Sequence, residues 1–259
     1  MVAKQSSQRG FTLVEMAIVL VIIGLIIGGI LKGQEIVDNA RVKSQVSQVD
    51  SLKSAIATFV DEYNYYPGDD PNAVAQVNAA AGVIGDGDGF VGNSGVSAAV
   101  IDTAAAGNEM NMAWYHLQLA RLISGIPVPA APTPTSPYNN AGKLAGTYLW
   151  FGDFSWNAAV VNKMIRIQGN NSTAAATVAP NVNSPGVRTA DAAQIDLKYD
   201  DGVPSSGQIL AATYSAATNC CLATAGGGAT ACTTANDVYG LTGTGSTAAQ
   251  YCGLLWLIE

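Results

Sequence analysis

Hydrophobic and polar positions along this chain fall into three regimes. From Phe11 to Leu31 the residues are apolar apart from Thr12, Glu15 and glycines. A helix over those roughly 21 residues would be about 31 Å long, the thickness of a bilayer's hydrocarbon core. Next, Val42, Val46, Val49, Leu52, Ile56, Phe59 and Tyr63 recur at three- and four-residue steps. Lys43, Gln45, Ser47, Gln48, Asp50 and Lys53 lie between them. That spacing predicts an amphipathic face on the same helix, which stops before Pro67 and Gly68 in YYPGDDP. The face is expected to pack on a sheet, because too few heptads are present for a coiled coil.

Beyond Pro67 the pattern is short-range. Turn-rich sequence to Gly95 includes GDGDGFVG, and EMNMAWYHLQLARLI, Glu109 to Ile123, predicts a second helix. PVPAAPTPTSP, from Pro127 to Pro137, has too many prolines for a helix or central strand and predicts an extended surface loop. Strands are expected in GTYLWFG, in NKMIRIQG and around Gln208 to Tyr214, with YCGLLWLIE as a buried closing strand. Between them ADAAQIDLKYD predicts a short helix capped by Thr189 and stopped at Gly202. The expected class is α+β: one long N-terminal helix packed on an antiparallel sheet head with long loops.

Composition narrows the function. Of 259 residues only 12% are charged, and the net charge of −7 argues against nucleic acid as a partner. Lys4 and Arg9 precede the apolar run with no acidic residue before Glu15, which places the N-terminus in the cytoplasm and the body outside. Cys220, Cys221, Cys232 and Cys252 then sit on the oxidising side, where an even number predicts two disulfides. One of the adjacent pair is expected to close to Cys232 and the other to Cys252, with the choice between them open. Zinc is disfavoured because the paired CxxC spacing of structural sites is absent.

RGFTLVEMAIVLVIIGLI resembles the leader of type IV prepilins and type II secretion pseudopilins: Gly10, Phe11 and Glu15 stand at fixed spacing on a membrane-length helix. The resemblance implies a cleaved leader over 1–10 and an assembly helix over 11–31. It further implies an amphipathic second half over 32–66 and an extracytoplasmic head over 67–259. A prepilin peptidase would cut between Gly10 and Phe11, and Phe11 would be N-methylated. Glu15 would meet the N-terminal amine of a neighbouring subunit and set the register of a filament. That amine would offset the several kcal/mol that a lone carboxylate costs inside a membrane. Implied partners are other subunits, the peptidase, the inner-membrane assembly machinery and, before assembly, the lipid bilayer. The implied setting is a bacterial inner membrane crossed once, with the head periplasmic, and a pilus or secretion filament after assembly. Where many pilins have a proline this chain has Lys32. Gly24, Gly28, Gly29 and Gly33 supply flexibility there or close helix packing. YPGD, GDGDG and the W-x-H-L-x-x-A-x-L-I helix also resemble one group of prepilin-type proteins, without implying an activity. A large, loop-rich head fits a minor or adhesive subunit. The competing function is a membrane-tethered binding module or adhesin that does not polymerise.

Candidate chemistry is sparse. Asp86 and Asp88, with Asp69, Asp70 or Glu109, offer oxygens for a structural calcium ion, although the EF-hand template is not met. A solvated Asp-Gly turn competes with that site. Asp200 and Asp201 in YDDG form a weaker candidate of the kind that ends helices. His116 is the sole histidine; between Trp114, Tyr115 and Leu117 it is expected to be packed and hydrogen-bonded, not catalytic. Trp114, Trp150, Trp156 and Trp256 are expected in the core. GxSxG elbow, P-loop and dinucleotide fingerprint are all missing, so no enzyme and no other cofactor are expected.

Overall fold

A computed structural model describes residues 12–80, 83–92, 109–124, 140–157, 160–169, 186–212, 221–222, 238–239 and 251–258. Its first element, α1, is one helix over Leu13–Tyr63. By compactness the chain divides between Lys43 and Ser44. In the first unit, residues 12 to 37 are all exposed, and this is the one described helix long and apolar enough to cross a membrane. In the second unit, Val46, Val49, Leu52, Ile56 and Phe59 are buried at the steps the sequence predicts. The helix ends at Asn64, whose φ of +61° and amide bond to the Val60 carbonyl (2.8 Å) make a left-handed stop before Pro67.

Short α2 (Ala73–Gln76) and α3 (Glu109–Leu119) come next. They precede β1 (Asn140–Ala141), β2 (Thr147–Asn157), β3 (Val160–Gly169), β4 (Val187–Arg188), α4 (Thr189–Tyr199) and β5 (Ile209–Ala212). A separate ribbon pairs β6 (Cys221–Leu222) with β7 (Val238–Tyr239), and β8 (Tyr251–Leu257) returns to the main sheet. Among the described residues every pairing is antiparallel, so the architecture is α+β with a long helix and an antiparallel head. β2 and β3 form the longest ladder, with Leu149 opposite Ile167 and Phe151 opposite Ile165. β8 is the hub: Trp256 faces Ile165 of β3 and Ile209 of β5, and Cys252 faces Val187 of β4.

Leu149, Trp150 and Phe151 are all buried, as are Met164 through Ile167. Successive strand residues point to opposite faces, so both faces of these strands are covered. Trp114 and Trp256 are buried too, whereas the Trp156 side chain lies outside the described residues. Two local expectations change. Gln45 is fully buried, and its Oε1 accepts the amides of Lys143 (2.6 Å) and Leu144 (3.1 Å), tying α1 to the β1–β2 loop. Thr189 is the first helical residue of α4, not its cap. The cap position falls to Arg188, whose guanidinium grips Asp191 through Nε (2.7 Å) and Nη2 (2.9 Å).

Candidate functional site

The N-terminal site begins with a helix start. Thr12 and Glu15 have the T-x-x-E spacing of a capping box. The Glu15 carboxylate accepts the Thr12 amide (2.7 Å) and hydroxyl (2.9 Å), and the Glu15 amide donates to Thr12 Oγ1 (3.3 Å). Two of the backbone N–H groups that would be orphaned at this helix end, those of Thr12 and Glu15, are thereby met from within. From sequence Glu15 is weighed as a charge, in lipid and opposite a neighbour's amine, and Thr12 is passed over, although the spacing is there to be read. Gly10 and Phe11 lie outside the described residues. Gly24, Gly28, Gly29 and Gly33 have open space beside them, where an added methyl group would touch nothing in this chain. No intramolecular contact therefore requires glycine at these four positions.

In the head, four acidic side chains gather the 85–92 loop. The Asp69 carboxylate accepts the Gly89 amide (3.1 Å), and Glu109, in the first turn of α3, accepts those of Asp86 (3.1 Å) and Gly92 (2.9 Å). Asp153 on β2 accepts the Val91 amide and meets the Lys163 ammonium of β3 at 3.4 Å. Gly85 fits so closely that a Cβ there would lie 2.2 Å from the Asp69 carbonyl carbon. Gly87 and Gly89 turn the loop at φ of +75° and +89°, where other residues strain. Asp86 closes the arrangement, with one oxygen taken by the Asp88 amide (3.0 Å).

Asp69, Asp86 and Glu109 can bring one carboxylate oxygen each within 4.8 Å of one another. Asp88 is not in that trio; its Oδ1 accepts the Phe90 amide at 2.8 Å. Asp70 is buried with Oδ1 on the Asn72 amide (2.7 Å), and it too stands apart from the trio. Burial pushes the Glu109 carboxyl up to about 7 against the pull of the Gly92 and Asp86 amides, and neighbouring Asp86 and Asp69 charges add to the rise. Burial likewise pushes Asp69 up to about 6 against the Gly89 and Gly87 amides, with Asp88 and Asp86 reinforcing it. Asp153 and Lys163 are not candidates from sequence; an acidic residue inside a strand of aromatics is the signal for the first.

His116 stands beside this loop, fully buried on α3. Its Nδ1 accepts the Gly68 amide (3.0 Å), which leaves Nε2–H to donate to the Val83 carbonyl (3.0 Å). Both ring nitrogens are thus used structurally in a single neutral tautomer. Burial lowers its pKa, favouring that neutral form.

A second acidic group, Asp196, Asp200 and Asp201, closes α4. Asp196 accepts the Tyr239 hydroxyl (2.7 Å) and Gly202 amide (3.2 Å), Asp200 the Ile209 amide (2.6 Å), and Asp201 the Val203 amide (2.8 Å) and Ser206 hydroxyl (2.6 Å). Burial pushes Asp196 up to about 6 and raises Tyr239 further. Cys252 is buried and disulfide-bonded. Cys220, Cys232 and the Cys221 side chain lie outside the described residues, and with them the predicted connectivity.

Residues 5–31 match the family model described as the prokaryotic N-terminal methylation motif. The chain has a prepilin-type N-terminus. That motif spans the predicted cleavage point, Phe11, the Thr12–Glu15 box and the exposed apolar half of α1. Over that stretch the chain is similar to type IV prepilins and pseudopilins. No curated protein and no solved structure matches the chain.

Proposed function

We propose that the chain is a structural subunit, a pilin or pseudopilin of a type IV pilus or type II secretion filament. Prepilin peptidase cuts after Gly10, Phe11 becomes the N-methylated first residue, and the subunit assembles through α1. The supporting observation is the methylation motif over 5–31, joined to a helix whose first part is apolar and exposed while its second part anchors a folded head. In the bilayer, lipid covers the exposed residues; in a filament, the same residues of neighbouring subunits cover them. Heads then form the outer surface.

Glu15 has two tasks in this scheme. Its carboxylate already satisfies Thr12 within one chain. A carboxylate oxygen accepts more than one donor, so it also receives the charged amine of Phe11 from a neighbour and sets the axial register. The chain is co-expressed with its prepilin peptidase, and sheared surface material is analysed by mass spectrometry. Filaments whose subunit starts at methylated Phe11 are expected. An uncut, monomeric membrane protein would overturn the proposal.

A further inference from the structure

We propose that Asp69, Asp86 and Glu109 form a calcium site that locks the 85–92 loop onto the start of α3. Two of the three carboxylates are withdrawn from water, Asp69 at 1% exposure and Glu109 at 6%. Among the described residues no lysine or arginine forms an ion pair with any of the trio. Like charges buried together are costly unless a cation joins them.

The decisive atom is Asp69 Oδ1. It is buried and has no hydrogen-bond partner, although the Gly89 amide holds the other oxygen of the same carboxylate. A cation meets it directly. Two oxygens on opposite sides of one calcium ion, each about 2.4 Å from it, are about 4.8 Å apart; the trio's oxygens lie within that span. Asp86 is the exposed member and gives the ion a way in from solvent.

The second acidic group marks the contrast. Asp196, Asp200 and Asp201 are met by a tyrosine hydroxyl, a serine hydroxyl and backbone amides, and none of their oxygens is buried without a partner. Of the two groups, only the first has a buried oxygen left unmet. Three carboxylates, all oxygen ligands, suit calcium over zinc, and their placement on a turn, a loop and a helix start suits calcium's variable geometry over the strict octahedron of magnesium.

The test uses the detergent-solubilised full-length chain, stripped with EDTA and titrated with calcium chloride by calorimetry and thermal unfolding. Affinity in the range of extracellular calcium modules, about 0.1–1 mM, would raise the melting temperature by about 3–10 °C at about 10 mM calcium. Asp86→Asn, at the exposed ligand, is expected to fold and to bind at least about tenfold more weakly. Asp69→Asn should abolish the shift. No heat and no shift in the wild-type chain at about 10 mM calcium would overturn the site. So would an unchanged calcium response in both Asp86→Asn and Asp69→Asn, because the ion would then bind elsewhere.

Discussion

Replacing His116 by leucine tests the clamp that joins the YPGD turn to the chain around Val83. Leucine is close in volume and fits an apolar surround, so cavity and overpacking effects are small. What changes is hydrogen bonding. The Gly68 amide and the Val83 carbonyl are buried and lose the two ring nitrogens they meet at 3.0 Å. Each buried group left unmet costs about 1–3 kcal/mol, so the expected loss is about 4 kcal/mol. That is a large part of the 5–15 kcal/mol total typical of a domain. The second compact unit has 216 residues, from Ser44 to Glu259. At that size each kcal/mol moves the melting temperature by about 2–4 °C, giving a fall of about 8–16 °C. Tryptophan fluorescence of the detergent-solubilised chain at pH 7.5 reads it, with buried Trp114 two positions away on α3. His116→Gln keeps a donor near Nε2 and should recover about half of the loss. A leucine variant within about 0.5 kcal/mol of wild type would refute the clamp, and a glutamine variant no better than leucine would refute the tautomer assignment.

Three further comparisons are expected to separate variants from wild type. Gly85→Ala forces a methyl into the Asp69 backbone and should cost at least about 2 kcal/mol in the same melt, more than Gly89→Ala, which meets open space and only φ strain. Asp196 has its pKa raised to about 6. Protonation therefore stabilises the fold below the unfolded value near 3.9, and that stabilisation is lost as pH rises through about 6. Asp196→Asn should accordingly gain on wild type by roughly 1–2 kcal/mol between pH 4 and 7 in paired denaturant titrations, and a pH-independent difference would contradict the shift. Glu15→Gln keeps the capping box but removes the charge, whereas Glu15→Ala removes both. Both variants should insert in the membrane and fail to yield sheared filaments; filaments from Glu15→Gln would show that capping alone is needed.

Much of this architecture is legible because it follows from period. Val46 to Phe59 repeat every three or four residues, Pro67 and Gly68 end the run, and the alternations around Leu149 and Ile165 give two paired strands. The legible elements are those whose cause is local. Gln45 is misplaced by sequence because its polarity says nothing of the two loop amides it meets nearly a hundred residues away. Glu109, Asp69 and Asp86 are visible as acidic residues, and His116 as a packed one. Which carboxylates converge, and that Asp88 turns to its own loop, depends on how α3 and the two turns stack. Asp153 and Lys163 join through strand register, which no short window of sequence contains.

β8 also governs when the head can come into being. Its residues pair with β3, β4 and β5, and all three precede it in the chain. During synthesis those strands emerge with their shared partner still missing, so the main sheet cannot close until residues 251–257 are out. The apolar half of α1 is made some two hundred residues earlier. Membrane insertion and head folding are therefore ordered in time, and a truncation that removes β8 leaves an anchored but unfolded chain for proteases to find.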